Sequence, residues 1–533
     1  MMPEASTEPT PMPGAWALAT QRPGRTALIG PDGQRVTFGE LGERVSQLTR
    51  ALLELGLAHG DTVASIQHNG VGHFEVMLAA TQAGLYAVPV STHLTPPEAS
   101  YIIKDCGARV VIASHDLAAR LRPAAADLPE HLVTVGGPVT GWTDYDALLA
   151  AGAQLLAAGG PVAARTAGAA MLYTSGTSGR PKGVQRALWA VSPEIAVSGM
   201  LPFLQRFGFS PGRGVHLVCA PLYHSAPMTF SLNLLHLGHA VVILEKFDAQ
   251  AVLGAIAAHR VTSTHLVPTH VHRLLALPPA TRAAHDTSSL EIVLVAGAPF
   301  PVHEKKALLD WLGPVVWEYL AATEGVSSVV SPQEASARPG TVGRPAPGMV
   351  LLLDDDGGEV PPGEAGTIWF QTGLARFEYH GDPDKTAKSV RADGFATVGD
   401  IGRLDADGYL YLLDRRSDLI ISGGVNVYPA EVEQWLLTHD AVADAAVIGL
   451  PDPDWGVVVT AVVELHDGVA APAELDRGER GKSELERSLD EHCRAGLAGP
   501  KCPRRYEFRA ALPRTPTGKL LRRALRDELA SPR

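Results

Sequence analysis

The stretch Met171-Leu-Tyr-Thr-Ser-Gly-Thr-Ser-Gly-Arg-Pro-Lys-Gly-Val184 decides how this chain is interpreted. A short apolar strand over residues 169–173 enters a loop of hydroxyls and glycines that ends at Lys182. Glycines let backbone N–H groups approach an anion closely, Thr and Ser hydroxyls add donors, and the lysine adds a point charge. The stretch therefore predicts a phosphate-binding loop rather than an ordinary surface loop.

This loop differs from the P-loop of the nucleotide hydrolases. The P-loop places four residues between its glycines, and a Ser or Thr follows its lysine at the start of a helix. Here Pro181 precedes the lysine and Gly183 follows it. The loop is therefore not expected to wrap a phosphate at a helix N-terminus in the same way.

The chain has 533 residues, of which 46% are apolar and 19% charged. At about 150 residues per domain, this length and composition predict several globular units and no disorder. The four cysteines, Cys106, Cys219, Cys493 and Cys502, lie far apart and form no CxxC pair. This argues against a disulfide scaffold or a zinc ribbon and suits a reducing cytosol.

Charge and hydropathy narrow the function classes further. A net charge of −12 argues against non-specific binding to nucleic acid. No apolar run reaches the roughly 18 residues of a membrane-spanning helix. The N-terminus carries Glu4, Glu8 and four prolines within residues 1–13, unlike a secretory signal. We therefore expect a cytoplasmic protein with no nucleic-acid partner and no membrane span.

Strand and helix patterns alternate through the first 300 residues. A capping box at Thr37 and Glu40 begins a helix that Gly56 ends. The alternation predicts parallel sheets covered by helices. Strands are expected at 62–66, 86–90, 109–113, 241–245 and 292–296, with helices near 73–83 and 249–259. The Ala/Gly-rich stretch 150–170 is predicted to be an exposed connection.

From about residue 340 the pattern changes to short strands separated by Asp-Gly turns. Strands are expected at 349–353, 367–371 and 409–413. The turns Asp354-Asp-Asp-Gly357 and Asp405-Ala-Asp-Gly408 resemble calcium loops but lack the full twelve-residue ligand pattern. We therefore interpret them as hairpin turns.

The last 115 or so residues return to mixed α/β character. Helices are expected after Pro429 and after a second capping box at Ser483, and strands near 442–449 and 457–464. We place a domain boundary near Arg415–Ser417. The expected fold is α/β, with a disordered tail (1–14), a large N-terminal domain of layered sheets plus a small β-barrel-like subdomain (15–415), and a small mobile α+β C-terminal domain (416–533).

The loop over residues 173–184 resembles the signature loop of the adenylate-forming superfamily. That superfamily contains acyl-CoA ligases, carrier-protein-loading adenylation domains and beetle luciferases. The resemblance runs from about residue 35 to 523 and is strongest to an acyl-CoA ligase. It implies that the loop holds the β,γ-phosphates of ATP through Thr174, Ser175, Gly176, Thr177 and Lys182.

Three further motifs carry the resemblance through the large domain. Pro221-Leu-Tyr-His-Ser225 implies that His224 borders the acyl pocket and moves aside for the thiol. Ala296-Gly-Ala-Pro299 implies that Gly297, Ala298 and Pro299 lie against the adenine. Residues 317–325 match an aromatic-Gly-x-Thr-Glu motif, in which Thr323 bonds the α-phosphate and Glu324 holds Mg²⁺. In the same motif Glu318, Tyr319 and Leu320 are expected to lie at the adenylate.

The remaining motifs lie around the boundary and in the small domain. The resemblance implies that Asp400 and Arg415 bind the ribose, and that Gly423 and Gly424 let pantetheine pass close to the backbone. It implies that Lys519, in Pro513-Arg-Thr-Pro-Thr-Gly-Lys519, reaches the α-phosphate and the carboxylate. Gly340-Thr-Val-Gly-Arg-Pro345 matches a turn whose role is expected to be structural. Ser417 occupies the hinge position, which is usually Asp or Lys.

The resemblance implies a two-step ligase that uses ATP, Mg²⁺, coenzyme A and a small-molecule carboxylic acid. Three alternatives stay open: an enzyme impaired in adenylation that mainly completes the thioester, a ligase that loads a separate carrier protein, and a non-catalytic nucleotide- or acyl-binding protein. Leu320, where the family usually has an aromatic residue, and Ser417 motivate the first alternative. The oligomeric state is open and compatible with a homodimer.

No metalloprotease or serine-hydrolase motif occurs in the sequence. His265, His270 and His272 lie close together, but Pro268 interrupts any common helix face. We expect these histidines to pack separately rather than bind a metal.

Overall fold

The structure is a computed structural model that describes residues 14–121, 128–158, 165–174, 180–373, 376–422, 425–452, 456–472, 483–515 and 520–530. The predicted tail lies outside these residues except for Gly14, whose N–H donates to the carbonyl of His236 at 3.0 Å.

Two sheets with mainly parallel strands form the larger part of the described chain. The first has the order β16-β15-β14-β13-β11-β12-β1-β2. Its strands are β1 (Thr26–Ile29), β2 (Arg35–Thr37), β11 (Val215–Val218), β12 (Ala240–Ile243), β13 (Ser263–Leu266), β14 (Ile292–Val295), β15 (Val316–Ala322) and β16 (Gly325–Val330). The second has the order β7-β6-β5-β3-β4-β8 and is parallel throughout. Its strands are β3 (Thr62–Ile66), β4 (Tyr86–Pro89), β5 (Ala108–Ser114), β6 (His131–Val135), β7 (Thr143–Asp144) and β8 (Ala169–Ala170).

Helices cover these sheets, and one apolar core joins them. Leu28 and Val241 of the first sheet and Val63 and Val110 of the second belong to the same buried cluster. The helices up to residue 340 are α1 (Ala15–Gln21), α2 (Phe38–Glu54), α3 (Val71–Gln82), α4 (Pro96–Asp105), α5 (His115–Leu121), α6 (Tyr145–Ala157), α7 (Pro193–Ser198), α8 (Leu201–Gln205), α9 (Ser225–His236), α10 (Ala249–His259), α11 (Pro268–Leu275), α12 (Pro279–Ala283), α13 (Val302–Leu312) and α14 (Pro332–Ala337). The predicted layered α/β architecture is confirmed.

Helix α2 begins and ends where the sequence predicts. Thr37 and Glu40 form the reciprocal capping box, with the Thr37 N–H donating to Glu40 Oε2 at 2.8 Å. Leu48 and Leu52 are fully buried on one face, as helical spacing requires. Gly56 follows with φ +82°, a conformation that favours glycine.

The prediction of an exposed connection over 150–170 is wrong for its first half. Residues 145–157 form α6, which Asp144 caps by accepting from the Ala147 N–H at 3.0 Å. The helix packs on α2, because Gly152 lets its backbone approach Gln47: an added Cβ would lie 2.0 Å from the Gln47 carbonyl oxygen. An Ala-rich stretch has high helix propensity, and this tertiary contact decides its structure.

Antiparallel strands form further sheets in the described part of the chain before residue 416. A three-stranded sheet contains β9 (Leu172–Thr174), β10 (Lys182–Arg186) and β19 (Phe377–Tyr379). A five-stranded sheet contains β17 (Val350–Leu353), β18 (Ala365–Gln371), β20 (Phe395–Ala396), β21 (Asp400–Leu404) and β22 (Leu410–Arg415), and α15 (Pro383–Ser389) lies between β19 and β20.

Both Asp-Gly segments are turns. Asp405 Oδ1 accepts from the N–H groups of Asp407 and Tyr409, at 3.0 and 2.9 Å, and closes the β21–β22 hairpin. Asp354 Oδ1 likewise accepts from Asp356 and Gly358. These side chains replace backbone turn bonds, so the hairpin interpretation is confirmed.

The Gly340–Pro345 turn joins the first sheet to the antiparallel one. Thr341 Oγ1 donates to the carbonyl of Leu410 at 2.9 Å, and the Leu410 N–H donates to the carbonyl of Gly343 at 2.8 Å. Gly343 has φ +111°, and an added Cβ would lie 2.1 Å from the carbonyl oxygen of Val329. Glycine is therefore required here both by backbone conformation and by space.

Gly343→Ala is expected to lower the free energy of unfolding by about 2–3 kcal/mol, because the methyl group meets backbone that cannot rotate away. Gly340→Ala is the matched control. It also has φ +84° but meets only a side-chain atom at 3.7 Å, so it should cost about 1 kcal/mol. Urea unfolding of both variants measures the difference; equal losses would contradict the steric explanation.

The C-terminal region has its own sheets and cores. Its strands are β23 (Ile420–Ser422), β24 (Val425–Val427), β25 (Val442–Asp452), β26 (Gly456–Leu465) and β27 (Arg505–Arg509), and its helices are α16 (Pro429–Leu436), α17 (Glu484–Gly496) and α18 (Arg522–Ala530), with one 3₁₀ turn at Gly499–Lys501. The two apolar clusters of this region draw only on residues from 420 onward. Across the described ranges, the helices are all too short or too polar to cross a membrane.

Candidate active site

A cavity of about 1780 Å³ connects the phosphate-loop region to an apolar chamber. Its walls come from β9, the start of α9, the β15–β16 hairpin, α15, the segment after β22, and Thr515 of the C-terminal region. The cavity lies beyond the carboxyl ends of several parallel strands, where ligands of open α/β sheets usually bind.

The structure brings most of the described site residues to this cavity. Those that line it are Thr174, His224, Gly297, Tyr319, Thr323, Glu324, Arg415 and Ser417. Five others are not part of its lining: Lys182, Ala298, Pro299, Glu318 and Leu320. Asp400 is not part of it either, but it contacts the lining residue Arg415. The predicted roles of Ser175, Gly176, Thr177, Gly423, Gly424 and Lys519 lie outside the described residues.

Thr323 and Glu324 sit at the turn between β15 and β16. Ala322 pairs with Gly325, so the turn is tight and points the Thr-Glu pair at the cavity. The buried Glu324 accepts at Oε1 from the Tyr379 hydroxyl at 2.8 Å. Arg186 donates to the carbonyls of Thr323 and Glu324, at 2.8 and 3.1 Å. A hydroxyl and a carboxylate are thereby held rigidly side by side.

Lys182 begins β10 directly opposite Thr174 of β9. Its Nζ lies 3.2 Å from Asp382 Oδ2, so the loop lysine is paired with a carboxylate of the α15 N-cap. Because Thr174 lines the cavity, Lys182 lies close to the cavity wall, where an anionic ligand can compete with Asp382 for the ammonium.

Asp400 and Arg415 are cross-strand partners at the edge of the cavity. Arg415 Nε donates to Asp400 Oδ1 at 3.1 Å. Asp400 is largely buried, whereas the Arg415 side chain is 44% exposed and lines the cavity. A carboxylate and a guanidinium side by side can accept from and donate to vicinal hydroxyls, which fits a ribose.

Neighbouring residues of β15 face opposite ways, as a strand requires. Tyr319 lines the cavity and its hydroxyl shares a hydrogen bond with His265 Nε2 at 2.8 Å. Leu320 packs instead against the core of the five-stranded sheet, and the buried Glu318 pairs with Lys305. Of these three residues of β15, Tyr319 is the one that lines the cavity, and the roles of Glu318 and Leu320 at the adenylate stay predictions.

His224 occupies the N-cap position of α9 with its ring 4.5 Å from that of Tyr223. Its Nε2 is enclosed, and no described residue hydrogen-bonds to it. Burial, with a smaller contribution from His93, lowers the pKa of His224 to about 4. The imidazole is therefore neutral at physiological pH and can turn without breaking a hydrogen bond at Nε2.

The three histidines that lie close together in the sequence each contact a different residue. His265 bonds Tyr319, His270 stacks on Phe247 with ring centroids 3.9 Å apart, and His272 Nδ1 lies 2.7 Å from Glu304. Among the residues that the structure describes, His, Cys, Asp and Glu form no three-membered group suited to a metal ion.

Four residues of the site escaped the sequence analysis: Arg186, Tyr379, Asp382 and Lys385. Asp382 followed by Pro383 is a helix-start signal that predicts α15. That signal says nothing about Lys182, which is 200 residues earlier in the sequence. The apolar wall formed by Met200 and Phe203 was likewise missed.

Comparison with known proteins identifies the class of this chain. Residues 16–375 match the AMP-binding enzyme family, and residues 431–519 match the AMP-binding enzyme C-terminal domain. The chain belongs to the AMP-binding enzyme family.

The chain is similar to curated relatives and to a solved structure over nearly its whole length. A fatty acid–[acyl-carrier-protein] ligase, ScoC of Streptomyces coeruleorubidus, is 32% identical over 94% of this chain and 93% of its own. Feruloyl-CoA synthase of an Amycolatopsis species is 34% identical over 96% and 98%. The structure of o-succinylbenzoate CoA synthetase from Bacillus subtilis with its acyl-adenylate intermediate superposes with a TM-score of 0.78, at 28% identity and 98% coverage of both chains.

Proposed function

We propose that this protein is an ATP-dependent acyl-CoA ligase. It joins a carboxylic acid to AMP with release of pyrophosphate, and then transfers the acyl group to the thiol of coenzyme A with release of AMP. One observation carries the proposal: a single cavity joins the Thr323–Glu324 pair, the Asp400–Arg415 pair and an apolar chamber. Family membership and the CoA ligases among the relatives support it.

In the first step a carboxylate oxygen attacks the α-phosphorus, and the bond to the bridging oxygen of the pyrophosphate breaks. The Thr323 hydroxyl donates to the α-phosphate, and Lys182 holds the β,γ-phosphates once it leaves Asp382. Negative charge grows on the phosphate oxygens as the bond breaks, so fixed donors and cations lower the barrier. Asp400 and Arg415 orient the ribose.

Glu324 fits the predicted role of magnesium ligand. It is a buried carboxylate at the cavity wall, and no lysine or arginine of the described chain forms an ion pair with it. Oxygen ligands combined with substrate phosphates are the usual Mg²⁺ arrangement. A bound Mg²⁺ would neutralise phosphate charge there, while Tyr379 fixes the orientation of the carboxylate.

In the second step the thiolate of coenzyme A attacks the acyl carbonyl carbon and AMP leaves with the electrons of the broken C–O bond. We propose that residues 15–415 and 416–533 move relative to each other between the steps, with Ser417 as the hinge. Ser417 supports this because it lies in the turn after β22, where Asp418 N–H donates back to the Arg415 carbonyl at 2.9 Å. A short turn can absorb the φ/ψ change of a hinge.

We propose an acid with a bulky apolar body. The chamber beyond His224 is lined by Met228, Phe230, Met200 and Phe203. The sulfur and ring atoms of these side chains suit aryl or fatty chains, since apolar surface leaves water on binding. The relatives include ligases for a feruloyl and for a fatty acid substrate.

A panel of aryl, fatty, terpenoid and steroid-like acids tests the function directly. Each acid is incubated with ATP and CoA, and mass spectrometry follows acyl-AMP and acyl-CoA separately. Absence of both products with every acid would contradict the proposal. Normal pyrophosphate release without CoA would exclude the alternative of impaired adenylation.

The similarity to the carrier-protein ligase ScoC favours a second candidate acceptor. A free acyl-carrier protein in place of CoA distinguishes the two. Faster acyl transfer to the carrier than to CoA would replace CoA as the proposed acceptor.

His224 is expected to cause no inflection in the pH–rate profile of thioester formation. Because the pKa of its buried ring is lowered to about 4, the ring does not change charge between pH 6 and 9. His224→Asn should therefore change the rate of CoA transfer from supplied acyl-adenylate without changing the shape of its pH profile over that range. An acid-side inflection near neutral pH that the variant removes would show instead that His224 acts as a base.

A further inference from the structure

Lys385 is a second ammonium at the nucleotide end of the cavity. It lies in the first turn of α15 and lines the cavity together with Thr323 and Glu324. Its Nζ is 3.7 Å from the centre of the Tyr379 ring, and the hydroxyl of that tyrosine donates to Glu324 at 2.8 Å. Lys385 is thus one side chain away from the expected magnesium ligand.

Asp382 connects Lys385 to the phosphate-loop lysine. Its Oδ1 accepts from the backbone N–H of Lys385 at 3.0 Å, and its Oδ2 pairs with Lys182 at 3.2 Å. The four charged groups, Lys182, Lys385, Asp382 and Glu324, therefore lie in one network along the cavity wall. Two separate cations converge on it, from β10 and from α15.

The ammonium of Lys385 has no carboxylate partner within the described ranges, where Asp382 pairs with Lys182 and Glu324 accepts from Tyr379. Lys385 is half-buried, and burial lowers its pKa although the negative charges of Glu324 and Asp382 oppose that shift. A partly desolvated cation that lacks a direct carboxylate contact is costly to hold, and a bound anion would relieve that cost. The aromatic face of Tyr379 stabilises the charge only in part.

We propose that Lys385 binds the β,γ-phosphates of ATP together with Lys182 and stabilises the departing pyrophosphate. This rests on the adenylation step proposed above. As the carboxylate–phosphorus bond forms and the bond to the bridging oxygen breaks, the electron pair goes to the pyrophosphate. Lys385 donates hydrogen bonds to that charge and transfers no proton.

Binding measurements separate this role from a structural one. Calorimetry compares ATP, inorganic pyrophosphate and AMP, all with Mg²⁺, on the full chain. Lys385→Met keeps the aliphatic stem over Tyr379 and removes the charge. It should lower the affinity for ATP and for pyrophosphate about 10- to 100-fold, which corresponds to the loss of one hydrogen bond to a charged group. AMP lacks the β,γ-phosphates, so its affinity should not change.

Lys388→Met is the matched control, because Lys388 lies on the same short helix and is exposed. It should bind all three ligands like the wild type, and Lys385→Arg should retain most of the ATP affinity. An equal loss for AMP and ATP in Lys385→Met would assign Lys385 to holding Tyr379 and overturn the proposal. Unchanged ATP affinity would also overturn it.

The same measurements distinguish failure of this inference from failure of the proposed function. If the wild type binds neither ATP nor AMP, the proposed nucleotide chemistry is wrong. If the wild type binds ATP and Lys385→Met binds it equally well, only the role of Lys385 is wrong.

Discussion

Lys519→Ala is expected to lower acyl-adenylate formation about 100- to 1000-fold, the cost of removing one preorganised group that stabilises transition-state charge. Thioester formation from supplied acyl-adenylate should stay near the wild-type rate. The reason is the family resemblance, which implies that this lysine meets the α-phosphate and the carboxylate only during the first step. Pyrophosphate release and CoA consumption measure the two steps separately.

The described part of the same loop supports this expectation. Thr515 lines the cavity, and Arg514 is anchored by Asp444, to which its Nη2 donates at 2.7 Å. Asp444 belongs to β25, so this bidentate pair, formed by Nε and Nη2 of Arg514, fixes the described start of the loop to the C-terminal sheet more firmly than a single contact would.

Lys501→Ala is the matched control for Lys519→Ala. Lys501 belongs to the same region but pairs with Glu431 at 2.7 Å, and a surface pair contributes little. Both half-reactions should survive its removal. If Lys519→Ala abolishes thioester formation as well as adenylation, the proposal of two alternating conformations would fail.

Local signals allowed most of the fold to be predicted. The capping boxes at Thr37 and Ser483 are formed as expected, and Gly56 ends α2, because these features depend on residues a few positions apart. Helix α6 was missed for the opposite reason. Its Ala-rich sequence favours a helix but does not indicate what the helix packs against, and its contact with Gln47 involves a residue about 100 positions earlier in the chain.

The motif residues were predictable, but their partners were not. Thr323 and Glu324 belong to a short pattern, whereas Arg186, which holds their carbonyls, is 137 and 138 positions away. The direction in which the Leu320 side chain points could not be predicted from the sequence either. Strand alternation predicts that Tyr319 and Leu320 point opposite ways, but only the sheet packing decides which of them meets the cavity.

The contacts of Tyr319 bear on the hypothesis that adenylation is slower than thioester formation in this protein. Leu320 replaces the aromatic residue that the family usually has at this position, but the neighbouring Tyr319 lines the cavity. A hydrogen bond to His265 fixes the Tyr319 side chain, and its ring centre lies 5.6 Å from that of Phe230. An aromatic face is therefore present at the cavity wall although the motif position lacks one. This favours an intact first step, which pyrophosphate release without CoA measures.

Arg522→Met is expected to destabilise the C-terminal region by about 3–5 kcal/mol, the usual cost of breaking a buried ion pair. Arg522 of α18 donates to both oxygens of Glu433, at 3.0 and 2.6 Å, and pairs with Asp418 just after the proposed hinge. Glu433 is buried and also accepts from the Val447 N–H at 2.7 Å. Removing the guanidinium leaves this carboxylate enclosed without its cation.

Hydrogen exchange of the full chain gives a local measurement of this loss. Amides of α16 and β25 should exchange more than 100-fold faster in Arg522→Met, since 3 kcal/mol corresponds to about two powers of ten. Arg523→Met is the control. Its side chain is 70% exposed, pairs with Asp527 at 3.6 Å, and should change exchange little. Equal effects of the two variants would contradict the buried-pair argument.

The pH dependence of the variant gives an independent check of the same cause. Burial already raises the pKa of Glu433, and Arg522 opposes that rise. Without Arg522 the folded-state pKa rises further above the unfolded value, so the stability penalty is largest at high pH and shrinks as the pH falls through the folded pKa. The difference in exchange between Arg522→Met and wild type should therefore narrow towards pH 5. Glu433→Gln added to Arg522→Met should recover part of the loss at neutral pH and remove this pH dependence, because the amide carries no charge to desolvate.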